Sequence, residues 1–207
     1  IYLLNFMKKT KILAVGDIHG DTGLVKRLAK KAKKEDVDLV ILAGDLTFMI
    51  DELPKNLIGP FIKVKKPVLL LHGNHESLAT ADFLAEMYPN TKNIHGYSFK
   101  KDNLGIFGAG GALRFNTSEK EIFKSLEKGH FPIRDIKKKI MVTHMHVKGT
   151  KSEFSGFEGS KSIRKAIVKF KPDVVIHSHI HEAKGIEEKI GKTKIINVAK
   201  KEKIFNI

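Results

Sequence analysis

Short apolar runs recur along the chain, and most break off at Gly, Asp, Asn or His. Lys66-Pro67 leads into Val68-Leu69-Leu70-Leu71, too short for a helix and the right length for a buried strand. The run stops at Gly73, and Asn74, His75 and Glu76 follow with no apolar residue among them. A carboxamide, an imidazole and a carboxylate at the tip of a buried strand are costly unless something binds there. Ser77 has the character of a helix N-cap, which makes the tip a strand-to-helix crossing. Open α/β sheets bind their ligands at such carboxyl ends.

The same reading extends along the chain. Lys11–Val15 is a strand ending at Gly16-Asp17-Ile18-His19, followed by a helix with Leu24, Val25, Leu28, Ala29 and Ala32 on one face. Val37–Ala43 is a buried strand ending at Gly44-Asp45. The segment from Asp51 to Val64 reads as a helix broken by Pro54 and by Gly59-Pro60. A helix runs from Ser77 to Met87, and Tyr97–Phe99 and Leu104–Phe107 are strands around a turn at Asp102-Asn103. Gly108 to Gly111 opens a long loop. Ser118–Lys128 is a helix with Ser118 and Glu121 at capping-box spacing. Ile140–Thr143 runs into His144-Met145-His146, a helix covers 159–170, and Val174–Ile176 ends in His177-Ser178-His179-Ile180-His181. The tail, 183–206, alternates in short segments and reads as antiparallel strands. Alternating strands and helices predict an α/β fold with a mainly parallel sheet, and the tail points to a second sheet packed on the first.

Composition narrows the chemistry. The 207 residues suffice for a sizeable core and predict one domain over 1–207, with residues 1–6 an extension or an edge strand before Met7-Lys8-Lys9. No apolar run approaches the ~18 residues of a membrane span, and the apolar start lacks the marks of a signal peptide; a cytoplasmic location is expected. Cysteine is absent, so a metal site must use His, Asp, Glu and Asn. The formal net charge of +15 admits a nucleic-acid or phosphorylated substrate. Arg27, Arg114, Arg134 and Arg164 are the only arginines, however, and the lysines are spread without a tract. A Lys-rich solvated surface, as in many thermophile proteins, is the favoured reading of the charge.

Side by side in one sheet, ~4.8 Å apart, the strand ends can bring Asp17, His19, Asp45, Asn74, His75, His144, His179 and His181 to one place. These O and N donors suit Mn, Fe, Zn or Ni, and their number exceeds what one four-coordinate zinc takes. The set fits two metals sharing a carboxylate. The alternatives are turn or cap roles for Asp17 and Asp45, and a turn role for Asn74.

The series Asp17-x-His19, Gly44-Asp45, Gly73-Asn74-His75-Glu76, His144 and His179-x-His181 resembles the motif set of the calcineurin-like metallophosphoesterases, in the family's order. The Gly110-Gly111 loop, Gly159-Ser160, Glu182 and Asn197 are similar to its small bacterial and archaeal branch. The resemblance implies a four-layer α-β-β-α sandwich of two mixed sheets flanked by helices. It implies that Asp17, His19, Asp45 and His181 hold one divalent ion, and Asp45, Asn74, His144 and His179 the other. Small phosphodiesters or phosphomonoesters would then be hydrolysed by in-line attack of a metal-bridging hydroxide, with His75 protonating the leaving oxygen. His144 is preferred to His146 because the family's His-x-Pro-Pro puts the ligand first. Glu76 has two readings, steering an imidazole or sitting at a helix N-terminus. His72, His95, His130, His146 and His177 are read as surface or core histidines.

The chain also departs from the family. Phosphoprotein phosphatases carry an Asp-Arg pair three and four residues after the bridging Asp, where this chain has Phe48 and Met49. The acid that would orient His75 and the arginine that would grip phosphate are missing, which argues against a protein phosphatase. Pro-Pro is replaced by His146-Val147, and the first Gly of Gly-His-x-His by Ser178. A metal-dependent nuclease and a non-catalytic metal-retaining scaffold are the alternatives, and the intact His75 argues against the scaffold.

Overall fold

The computed structural model describes residues 9–207, so the reading of residues 1–6 lies outside it. Its strands are β1 (Lys11–Val15), β2 (Leu39–Ala43), β3 (Val68–Leu71), β4 (Thr91–Asn93), β5 (Ser98–Lys101), β6 (Leu104–Ala109), β7 (Lys138–Thr143), β8 (Val174–His177), β9 (Glu187–Ile190), β10 (Thr193–Asn197) and β11 (Lys203–Asn206). The helices are α1 (Thr22–Lys34), α2 (Gly59–Lys63), α3 (Leu78–Met87), α4 (Glu119–His130) and α5 (Lys161–Phe170).

Two mixed sheets form. One has the order β11-β1-β2-β3-β4, the other β5-β6-β7-β8-β10-β9. Within them β1-β2-β3-β4 and β6-β7-β8-β10 run parallel, and antiparallel strands lie at the edges. Period-2 geometry divides each parallel strand between two apolar layers, as expected for sheets covered on both faces. Ile12, Ala14, Ile41 and Leu69 meet Ile106, Ile140, Val142 and Ile176 between the sheets. Leu13, Val15, Val40 and Leu70 pack outward on Val25, Leu28, Phe61 and Leu84 of α1, α2 and α3. Phe107, Met141 and Val175 pack outward on Ile122, Leu126, Ile163 and Ile167 of α4 and α5. The result is the expected α-β-β-α sandwich.

Helix starts follow the sequence. Ser77, Ser118 and Ser160 each accept from the backbone N–H three residues on, and Ser118 with Glu121 completes the capping box. Two expectations are corrected. Within Asp51 to Val64 only Gly59–Lys63 is helical, and Pro60 lies in its first turn, where a missing N–H costs nothing. The tail does not found the second sheet: β9 and β10 are antiparallel, but β10 pairs parallel with β8, and β11 crosses to β1 in the first sheet. Alternation reveals a strand but not its neighbour. The three-residue β4 went unread because Thr91-Lys92-Asn93 carries no apolar pattern.

Ile41 is fully buried between the sheets. Ile41→Ala should lower stability by about 2–5 kcal/mol in urea unfolding, the usual range for such a cavity. A loss below about 1 kcal/mol would show that this interior collapses onto smaller side chains.

Candidate metal centre

The carboxyl ends of β1, β2, β3, β7 and β8 open onto one place, and the seven donors picked out in the sequence lie together there. Asp17, His19, Asp45 and His181 form one group whose ligand atoms lie within 4.8 Å of one another, and Asp45, His144 and His179 form a second. Asn74 joins the second through Oδ1, 3.0 Å from His144 Nε2. Asp45 belongs to both. Its Oδ2 lies 3.8 Å from His19 Nε2, and its Oδ1 lies 3.4 Å from His144 Nε2.

The backbone at these tips is unusual. Asp17, His19, Asp45 and His179 have φ values of 54°, 46°, 49° and 72°. Residues with side chains seldom adopt this region, and Asp and His are among those enriched there. Close approach fixes a glycine as well: a Cβ on Gly73 would lie 2.0 Å from Asp45 Oδ1. That oxygen accepts from the N–H groups of Asn74 at 2.8 Å and His75 at 3.1 Å, so the β2 and β3 tips are tied through the shared carboxylate.

The donor set fits cations on three observations. Asp17 and Asp45 are buried, and among the described residues their ion-pair contacts are with histidines, none with Lys or Arg. Buried carboxylates need a compensating charge. Asp17 Oδ1 is buried without a hydrogen bond, and His181 Nε2 lies 3.3 Å away. Finally, donor atoms converge. With Nδ1–H donating to the Ala43 carbonyl at 3.0 Å, His144 turns Nε2 toward Asn74 Oδ1 at 3.0 Å, and His19 Nε2 and His181 Nε2 face each other at 3.2 Å. With the imidazoles neutral, each pair offers its lone pairs to a cation.

Titration follows the same logic. Burial, then neighbouring His144 and His146, pushes His179 down to about 3, leaving its ring neutral at pH 7 with a lone pair to offer. Burial also lowers His19, against the pull of Asp45 and Asp17. Burial opposes ionisation of Asp45, but His144 and the His75 N–H outweigh it and lower its pKa. His144 moves up because the Asp45 and Asp17 carboxylates overcome its burial.

Several residues gain roles that local sequence did not disclose. Glu76 sits at a helix N-terminus, directly before the α3 N-cap Ser77, but its carboxylate serves other partners: its Oε2 accepts from the N–H groups of Leu46 and Thr47 and from the Thr47 hydroxyl, and its Oε1 from Gly73 N–H. It braces the β2 tip against the β3 tip. His75 is oriented by a main-chain atom, its Nδ1 lying 2.7 Å from the Phe48 carbonyl. Asp51 holds that turn, with its N–H donating to the His75 carbonyl and its Oδ1 accepting from Ser77. Ser178 donates to the Ala43 carbonyl beside His144. His146 stacks on His179, with centroids 6.1 Å apart, and its Nε2 bonds the Phe157 carbonyl at 3.0 Å. His95 is satisfied by Gly110 N–H and the Ser125 hydroxyl, and His130 stacks on Phe170. A cleft of about 550 Å³ beside His72 and His95 touches none of the seven donors.

A family model described as calcineurin-like phosphoesterase matches residues 10–183. The chain belongs to that family. No curated protein matches the chain in sequence comparison. Among solved structures, a Thermus thermophilus protein superposes with a TM-score of 0.74 at 16% identity, over 96% of this chain and 99% of that one. A protein described as a novel archaeal phosphodiesterase gives 0.56 at 16% identity, over 96% and 100%. A dimetal phosphatase from Danio rerio gives 0.62 at 10% identity, over 91% and 86%. At these identities the likeness is one of fold. Calcineurin-like phosphoesterases use divalent metals, and this member carries a cluster able to hold them.

Glu76 offers a direct test of the brace. Glu76→Ala would leave buried N–H groups of Gly73, Leu46 and Thr47 without their acceptor, at a cost of about 1–3 kcal/mol each when unsatisfied. Denaturant unfolding should show a loss of at least about 3 kcal/mol, and near-wild-type stability would remove the brace assignment.

Proposed function

We propose that this calcineurin-like phosphoesterase is a dinuclear enzyme that hydrolyses small phosphodiesters or phosphomonoesters. The observation that carries the proposal is Asp45, whose two oxygens face two separate donor groups. Asp17, His19, Asp45 and His181 would hold one ion, and Asp45, Asn74, His144 and His179 the other. Two divalent ions of the Mn, Fe, Zn or Ni type would supply Lewis-acid charge and lower the pKa of a water.

The chain's own residues do the rest. With Nδ1–H committed to the Phe48 carbonyl, His75 presents Nε2 on the Asp45 side, 3.8 Å from Oδ2, where a proton at Nε2 can pass to a departing alkoxide. The carbonyl thus fills the orienting place of the missing acid. Asp45, Asn74 and His75 are tied together, because the Asp45 carboxylate accepts from the N–H groups of both Asn74 and His75. Eight lysines (Lys11, Lys31, Lys66, Lys101, Lys138, Lys169, Lys194 and Lys203) are each paired to an acid, and the net charge of +15 is carried by lysines spread without a tract. This favours a small substrate over a polynucleotide.

Asp45→Ala should abolish hydrolysis more completely than any single His change and lower metal content below half. Two ions retained by the variant in elemental analysis would sink the shared-ligand assignment.

His75→Ala should keep both metals while kcat falls by ~10²–10⁴ on an alkyl ester. The fall should be much smaller for p-nitrophenyl esters, whose leaving group needs little protonation. Equal losses on the two substrates would move His75 from proton donor to phosphate positioning.

A further inference from the structure

A second recognition element flanks His179. A cleft of about 260 Å³ is bounded by Leu113, Arg114, Phe115, Met145, Phe157 and His179, among others. Phe115 is 64% exposed and Phe157 57% exposed, although both sit beside one of the most buried parts of the molecule. The Phe115 ring lies edge-on to His179, with centroids 6.1 Å apart.

Both phenylalanines are carried by braced loops. Asn116 accepts from Ala112 N–H and donates to the Gly73 carbonyl, anchoring the 112–117 turn to the β3 tip. Phe115 N–H and Asn116 N–H close the turn onto the Ala112 carbonyl. On the other side, His146 bonds the Phe157 carbonyl and stacks on His179, while Ser160 N–H donates to the His146 carbonyl. Gly159 lies so close to Val147 that a Cβ would meet its carbonyl at 2.5 Å. Two exposed aromatic rings held by hydrogen-bonded loops at the edge of a reaction centre mark a binding surface. Arg114, at φ 69°, brings to the same rim a guanidinium close enough to add to Lys148 in lowering the Glu158 pKa, and Glu119 and Lys161 also line the cleft.

Resting on the phosphoesterase reading above, we propose that this cleft binds a flat aromatic ring on the substrate, so that the preferred phosphoesters carry a nucleoside or aryl group. A ring entering here meets the Phe115 and Phe157 side chains while its phosphate stays on the His179 side. About 150 Å³ is enough for a benzene ring, so the cleft takes a single ring or a fused pair. Stacking of this kind is worth about two- to twelve-fold in affinity per aromatic pair.

The test measures binding, not turnover. Calorimetric titration of the metal-loaded chain with benzylphosphonate, cyclohexylmethylphosphonate and methylphosphonate separates a flat ring, a bulky apolar group and the bare anion. Benzylphosphonate should bind about tenfold tighter than methylphosphonate and clearly tighter than the cyclohexyl compound. Phe115→Ala and Phe157→Ala should each cut the benzyl-to-methyl ratio to about threefold or less. Equal affinity for benzyl and methyl compounds, or for benzyl and cyclohexyl compounds, overturns the ring subsite even if the protein hydrolyses esters well. A benzyl preference in a protein that hydrolyses nothing would uphold the subsite and overturn the phosphoesterase reading. Failure of all three to bind overturns both.

Discussion

Two buried carboxylates that pair with no lysine or arginine among the described residues are the constraint on which this molecule turns. Asp17 and Asp45 stand at the ends of adjacent parallel strands, each with a left-handed backbone. His19 and His179 share that conformation. Such positions cost of order 1–3 kcal/mol each and persist only where their surroundings hold them. Here strand ends hold them: Asp17 N–H donates to the Gly44 carbonyl, His19 N–H to Asp45, and His179 N–H to the Asp17 carboxylate. The local strain and the buried charge have one rationale in common, a cation centre that both aim at.

The two sheets supply the stiffness that such a centre needs. His19 comes from the first sheet's β1 end, and His144, His179 and His181 from the second sheet's β7 and β8 ends. Their meeting therefore depends on the apolar layer between the sheets. Leu71 and Ala43 from one side and Val142 and Ile176 from the other are buried directly beneath the donor tips. Ser178 and His144 both reach the Ala43 carbonyl across this seam, so a hydrogen-bonded stitch lies at the point where the ligand groups converge. Glu76 performs the matching task within the first sheet. Its carboxylate has its pKa raised, chiefly by burial, and that burial is bearable because four donors surround it.

Strand ends and helix starts were legible because both are written locally. The run Val68–Leu71 and the cap at Ser77 needed only period and residue type, whereas the choice of His144 over His146 needed the family resemblance; the donors meet where the strand ends of two sheets converge, not side by side in one sheet as expected. What stayed hidden depends on distant partners. The Phe48 carbonyl meets His75 across 27 residues, and Glu76 meets Thr47 across 29. Neither contact has a signature in local spacing. The polar β4 is a strand only because β3 presents an open edge to it. In the tail, β11 has the same alternation whether it pairs with β9 or with β1, and the core between the sheets selects β1.

The exchange of an acid for a carbonyl behind His75 has a further consequence. A carboxylate would hold the proposed proton donor in place and also stabilise its charge, whereas the Phe48 carbonyl orients the ring with a dipole alone. The turn that carries this carbonyl frees three side chains, and Phe48, Met49 and Ile50 are exposed at 62%, 57% and 87%. Met49 holds the sequence position of the phosphate-gripping arginine of the phosphoprotein phosphatases. Phe48 borders the cleft beside His19, while Phe115 and Phe157 border the one beside His179. The rim of the centre thus carries exposed aromatic rings on both sides, set among charged neighbours (Asp21 and Glu52 near Phe48, and Arg114, Glu119, Glu158 and Lys161 near Phe115 and Phe157), over a floor of acids and imidazoles. The rings do little for a bare phosphate, whose charge the proposed ions would serve. They discriminate by what the phosphate is esterified to, and in the proposed enzyme that is where substrate choice resides.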